Sequence, residues 1–173
     1  IVPAAVRVVM GFAQAASNLG EGLGGDQYFL TRPWRVAGGP PCARAKVGAV
    51  IVRDKTIRAP GYNGAPAGMP HCTDVGCLVY ESKTPNGDTE QNCFRTIHAE
   101  MNAIAQAAKN GSNIKDAAIY ITHTPCIHCL KVLVNTGIKE IFYLRPYKLH
   151  TLEELLRYTQ VHLYPVQLPD QIN

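Results

Sequence analysis

The chain has 173 residues, 46% of them hydrophobic and 17% charged, with a formal net charge of +4 at pH 7. This length fits one domain with a substantial core, and no apolar run approaches the ~20 residues that a membrane span needs. The mild charge, with no cluster of five Lys or Arg, argues against a stable nucleic-acid partner and suits a small anionic ligand.

In chain order, residues 4–16 are rich in Ala and Val with Arg7 among them and no basic leading region, which argues against a signal peptide. Gly20, Gly22, Gly24 and Gly25 make a break, so 1–25 reads as an N-terminal extension and 26–173 as the main domain. Val47-Gly48-Ala49-Val50-Ile51-Val52 predicts a buried strand, and Arg53-Asp54-Lys55 a turn into a second strand, so 47–62 should be a hairpin. Gly61 to Gly68 is a turn-rich loop whose glycines let backbone approach a ligand. Residues 69–96 show little periodicity but hold several metal-capable side chains, the mark of an insertion organised by a metal. A helix should start at His98 and stop at Asn110-Gly111, with Ile104, Ala105 and Ala108 facing the core. Further elements are a strand at 117–122, a helix at 126–136, a strand at 140–144, a Thr151-capped helix at 151–158 and a strand at 161–164. Strands alternating with helices imply an α/β/α layered domain, with the last two strands parallel.

The chemistry concentrates in His98-Ala99-Glu100 and Thr124-Pro125-Cys126-Ile127-His128-Cys129. Cys126 and Cys129, three apart, face the same way on a first helical turn, and Pro125 suits the start of such a helix. His98 heads another strongly helical run. Two helix N-termini directed at one metal favour thiolates, and three protein ligands leave the fourth tetrahedral position for water, as in catalytic zinc sites. His128 points away from the cysteine face and is expected to be exposed. The bland alternative is a closed structural zinc site with an ordinary helix-end histidine. H-x-E followed by P-C-x-x-C is the general signature of zinc nucleobase deaminases, in which the glutamate is acid/base and not a ligand. The six cysteines therefore read as metal sites in a reducing cytosol rather than as a secreted disulfide framework.

From Asp26 to Tyr164 the sequence resembles the cytidine deaminase superfamily, and within it the bacterial and phage dCMP (deoxycytidylate) deaminases. The residues that carry the likeness are Cys42 with Val47-Gly48-Ala49-Val50, Gly61-Tyr62-Asn63-Gly64-Ala65-Pro66, His71-Cys72 with Gly76-Cys77, Cys93, and the two zinc motifs. The resemblance implies a three-layer α/β/α sandwich around a mixed five-stranded sheet, and a zinc-dependent hydrolase that converts dCMP to dUMP and ammonia for thymidylate synthesis. Zinc on His98, Cys126 and Cys129 would activate water for attack on carbon 4 of cytosine, with Glu100 moving the protons. Asn63 and Tyr147 would contact the nucleotide, and Arg44, Lys46, Arg145 and Lys148 are candidates for its phosphate. Cys42, Cys72, Cys77 and Cys93 match the family's extra zinc site, with His71 as an alternative ligand, most plausibly for Cys77. Free buried cysteines are the other reading of these four. A cytoplasmic homo-oligomer, often a hexamer, activated by dCTP with Mg²⁺ and inhibited by dTTP, is implied as well.

The family pattern also calls for an apolar helix before Cys42, yet Pro33 interrupts it here and Gly38-Gly39-Pro40-Pro41 follow. Proline inside a helix costs ~3 kcal/mol, so this helix is expected to be kinked or short. Three other functions share these residues: deamination of another cytosine nucleoside or nucleotide, deamination of tRNA adenosine, and a catalytically silent zinc-binding module. An intact Glu100 speaks against the last.

Overall fold

A computed structural model describes residues 24–37, 45–83, 87 and 89–167. Residues 1–23 of the expected 1–25 extension, Cys42 and Arg44 lie outside the described residues. Strand β1, Gly48–Arg53, is buried at its first five positions. It turns through Asp54 and Lys55, both at positive φ (53° and 56°), into antiparallel β2, Thr56–Tyr62. Positive φ at both central residues is the hairpin geometry that matches strand twist. On its other side β1 pairs antiparallel with β5, Ala118–His123, and β5 runs parallel to β6, Glu140–Arg145, and β6 to β7, His162–Pro165. The result is a mixed five-stranded sheet in the order β2-β1-β5-β6-β7.

Side chains alternate across the sheet, and both faces are apolar. Ala49, Ile51, Ile119, Ile121 and Ile141 point to one face, where helices α3 (Ala99–Lys109) and α4 (Ile127–Asn135) bring Ala99, Ala103, Leu130 and Leu133. Val50, Val52, Tyr120 and Phe142 point to the other, where Phe29 of α1 (Gly24–Ala37) packs against them. On that face Tyr120, Phe142 and Tyr164, in register on neighbouring strands, stack at 4.7 and 5.0 Å. The layers are therefore the expected α/β/α.

Three local expectations need correction. The helix expected to be kinked or short is not short: α1 runs 14 residues, through Pro33, to Ala37. Pro33 is fully buried, and a Cβ on Gly48 would stand 1.9 Å from its carbonyl oxygen. Close docking on β1 thus outweighs the local cost of proline. The segment after β6 holds a 3-10 turn, Leu149–Thr151, and one turn of helix α5, Glu153–Leu156, rather than a Thr-capped helix over 151–158. The Thr151 hydroxyl instead donates back to the Lys148 carbonyl, and fully buried Leu152 anchors the crossover. On α3 the buried positions are Ala99, Glu100, Ala103 and Ala107; Ile104 packs half-buried against the core as expected, whereas Ala105 and Ala108 are exposed. Gly61 of β2 sets this phase, because the α3 backbone at Ala99 and Ala103 lies against it.

The insertion is a one-turn helix α2 (Cys72–Val75) followed by an antiparallel hairpin of β3 (Val79–Lys83) and β4 (Thr89–Cys93), separate from the main sheet. Among the described residues no helix is long and apolar enough to cross a membrane.

Candidate metal centre

His98 and Cys126 occupy equivalent places: each is the N-cap of its helix, with extended backbone (φ −70°, ψ 154° and φ −73°, ψ 167°). Their carbonyls accept the first helical bonds, from Asn102 N–H and Leu130 N–H, both at 2.9 Å. Cys129, one turn into α4, is buried. Pro125 lies one residue before the cap, fully buried. His98 Nδ1 stands 3.5 Å from Cys126 Sγ and 3.4 Å from Cys129 Sγ. A tetrahedral zinc with Zn–S near 2.3 Å and Zn–N near 2.05 Å requires an S···N edge of about 3.6 Å, so the donor set fits the ion. His98 is exposed, Cys126 half-buried and Cys129 buried. The cluster thus opens to solvent on the histidine side and is closed behind.

Glu100 forms the back wall at 4% exposure. Burial pushes its carboxyl up to about 7, opposed by its own backbone N–H, the His98 charge and a hydrogen bond from Cys129. The Cys126 thiol is held low, first by its hydrogen bond with Cys129 and then by His98, against the effect of burial. His98 is raised in turn by Cys126. The arrangement already favours a thiolate, the form in which cysteine binds a metal.

The expected substrate residues fare differently. Both polar atoms of the Asn63 amide are engaged by backbone: Oδ1 accepts from Val47 N–H and Nδ2 donates to the Ala45 carbonyl, each at 2.7 Å. Asn63 therefore pins the chain entering β1. Tyr147 is 44% exposed, and its main chain is held by Thr124, whose Oγ1 accepts from Tyr147 N–H at 2.6 Å and donates to its carbonyl at 2.7 Å. Lys46 and Arg145 are exposed. Lys148 Nζ is engaged with Glu90. His128 is exposed, as expected. Two residues were overlooked as contributors, Thr124 and Glu90. Thr124 at least carried a signal, standing directly before the Pro-Cys pair.

A second cluster gathers Cys72, Cys77 and Cys93, their sulfurs within 4.8 Å of one another. Cys72 and Cys93 Sγ are 3.7 Å apart, far longer than a disulfide bond and close to the ~3.8 Å S···S edge of a zinc tetrahedron. Burial, then Cys93 and Cys77, push Cys72 up to about 12. Burial works against Cys93 too, yet the Arg95 backbone N–H and Cys72 lower it on balance. His71 lies outside this group of ligand atoms, with its Nδ1 buried and unpartnered.

Comparison with known proteins agrees with this geometry. Residues 25–145 match the model of the cytidine and deoxycytidylate deaminase zinc-binding region. ComE operon protein 2 of Bacillus subtilis is 42% identical over 153 residues, covering 88% of this chain and 76% of the relative. The deoxycytidylate deaminase of Mycobacterium phage D29 is 35% identical over 123 residues, 68% of this chain and 92% of the phage protein. The dCMP deaminase of cyanophage S-TIM5, solved in complex with dCMP and dUMP, superimposes with a TM-score of 0.68 at 26% identity, covering 85% of this chain and all of that one. The chain belongs to the cytidine and deoxycytidylate deaminase zinc-binding family.

Proposed function

We propose that the protein hydrolyses dCMP to dUMP and ammonia. The observation that carries this reading is the buried Glu100 carboxyl, held near neutrality directly behind an open His98–Cys126–Cys129 trio. Zinc, when bound by these three residues, supplies the Lewis acidity that activates water towards the amino-bearing carbon of cytosine. Burial raises the Glu100 carboxyl, the direction that suits a group which must both take a proton and give it back. Glu100 accepts one proton from the attacking water and delivers it to ring nitrogen 3. It then takes the second from the new hydroxyl on carbon 4 and passes it to the amino group, which leaves as ammonia while carbon 4 becomes a carbonyl. Its buried position keeps bulk water from competing for that proton. Asn63 serves the same end by holding Ala45 and Val47 where the chain enters β1, and Tyr147, tied by its main chain to Thr124 ahead of the Pro-Cys pair, is the other residue assigned to the nucleotide.

The phage relatives named as deoxycytidylate deaminases support the monophosphate, whereas the 42% relative bears a name that states no substrate. Ammonia release from dCMP, deoxycytidine, cytidine and a tRNA adenosine substrate tests the assignment. dCMP should have the highest kcat/KM, because the phosphate contributes binding energy remote from the reacting carbon. Equal efficiency on deoxycytidine would make the protein a nucleoside deaminase, and release from none would make it a silent zinc module. A second, structural zinc on Cys72, Cys77 and Cys93, with Cys42 or His71 completing the tetrahedron, is part of the same proposal. Metal analysis should give about two zinc ions per chain by this ligand count.

A further inference from the structure

Among the described residues of the β3–β4 hairpin, every strand position is exposed except Glu90 and Cys93, which are half-buried. A two-stranded hairpin without a buried face is marginal in water, so its place depends on ties to the rest of the molecule. Cys93 supplies one through Cys72 and Cys77. Glu90 supplies another: its Oε1 accepts from Lys148 Nζ, 58 residues further along the chain, with each side chain 34% exposed. Lys148 stands in the left-handed conformation, at φ 46° and ψ 41°, directly after Tyr147, and the same ammonium lies 5.3 Å over the Tyr147 ring. From the other side Thr124, 3% exposed, binds both main-chain groups of Tyr147 and donates its own N–H to the Arg145 carbonyl at 3.0 Å. Thr124 is two residues from Cys126.

We propose that the Glu90–Lys148 pair is a clasp that sets Tyr147 beside the Cys126 turn, which makes Glu90 a positioning residue for substrate binding. The insertion then does more than carry thiols: its far strand reaches across to the loop that faces the nucleotide. Lys148 is correspondingly withdrawn from the cations free to bind phosphate. The kinetic part of this inference rests on the deaminase reading; the structural part does not.

The test uses Glu90→Gln, Glu90→Asp, Lys148→Met and the Gln/Met double variant, with Glu154→Gln, which breaks the exposed pair with Arg157, as control. Deuterium exchange over 89–93 and 145–149 is measured together with KM and kcat. Glu90→Gln and Lys148→Met should each raise KM about three- to fivefold, the ceiling for an ion pair this open to solvent. In both, kcat should stay within about twofold, since Tyr147 touches no reacting atom, while exchange in both segments quickens. The double variant should be no worse than the poorer single one, because both remove the same contact, and Glu90→Asp should fall between parent and Glu90→Gln. Unchanged exchange over 145–149 in Glu90→Gln would overturn the clasp. So would a KM raised by Lys148→Met but lowered by Glu90→Gln, the pattern of a lysine that binds phosphate directly. If the parent turns over none of the substrates, the deaminase reading fails, and the exchange comparison alone decides the clasp.

Discussion

His98, Cys126 and Cys129 are presented by the N-termini of two helices packed on the main sheet, whereas Cys72, Cys77 and Cys93 come from a one-turn helix, the loop after it and an exposed hairpin. The first set rests on fully buried neighbours such as Ala99, Ala103, Leu130 and Leu133. Its scaffold holds shape through apolar burial, and its three donors are one fewer than a closed tetrahedral zinc site uses. The second set has little apolar support, since β3 is exposed throughout, and a metal there would have to supply folding energy itself. A buried carboxyl accompanies the first cluster; among the described residues Glu100 is the buried charged residue of the protein. On the proposed reading these two similar donor sets divide into a site that acts and a site that holds, and the difference the structure shows lies in what surrounds them.

The largest effect should come from removing the acid that distinguishes the two. Glu100→Gln keeps the side-chain volume and every metal ligand, so zinc content should match the parent while turnover falls 10²–10⁴-fold. A variant that keeps more than about a tenth of the rate would erase the distinction. Next in size is the scaffold under the first cluster. A Cβ on Gly61 would stand 2.2 Å from the Ala99 carbonyl oxygen and 2.4 Å from the Ala103 nitrogen, backbone that cannot step aside. Gly61→Ala should therefore cost about 1–3 kcal/mol in chemical denaturation and lower activity by displacing the turn that follows His98.

Cys93→Ser sharpens the contrast from the other side. It should lose one metal equivalent and quicken deuterium exchange across 72–96, while amides of β1 and β5 stay protected. Collapse of the whole domain would show that the second site holds the fold rather than the insertion. The smallest effect is expected at a surface pair of the scaffold, Lys139 Nζ to Asp116 Oδ1 at 2.7 Å. The Lys139 hydrogen bond holds the Asp116 carboxyl below its ordinary value of 3.8. Its contribution is therefore present above about pH 3.8 and lost as pH falls through the lower folded value. The small gap in melting temperature between parent and Asp116→Asn should be seen at pH 7 and close in stronger acid. Asparagine suits the positive φ of 60° at this position.

Much of the molecule is decided by interactions that act over a few residues, and those parts are legible in the sequence. Asp54 and Lys55 make the turn expected between two apolar runs, Gly111 and Gly137 end their helices at φ 63° and 83°, and a CxxC starting a helix brings two sulfurs to one side. The zinc trio is legible for the same reason: each half is local, and only the meeting of the halves needed a fold. Tertiary packing decided the rest. Pro33 stays inside a helix because docking on Gly48 outweighs its local cost, and α3 turns Ala103 and Ala107 inward because Gly61 receives its backbone. The segment over 151–158 shortens to a single turn because one residue, Leu152, anchors it. The Asn63 amide bonds backbone sixteen and eighteen residues away, a pairing that only the tertiary structure decided. Glu90 and Lys148 meet across 58 residues. No local preference encodes such a pairing, because it exists only after the hairpin and the loop have each been placed by the packing of everything between them.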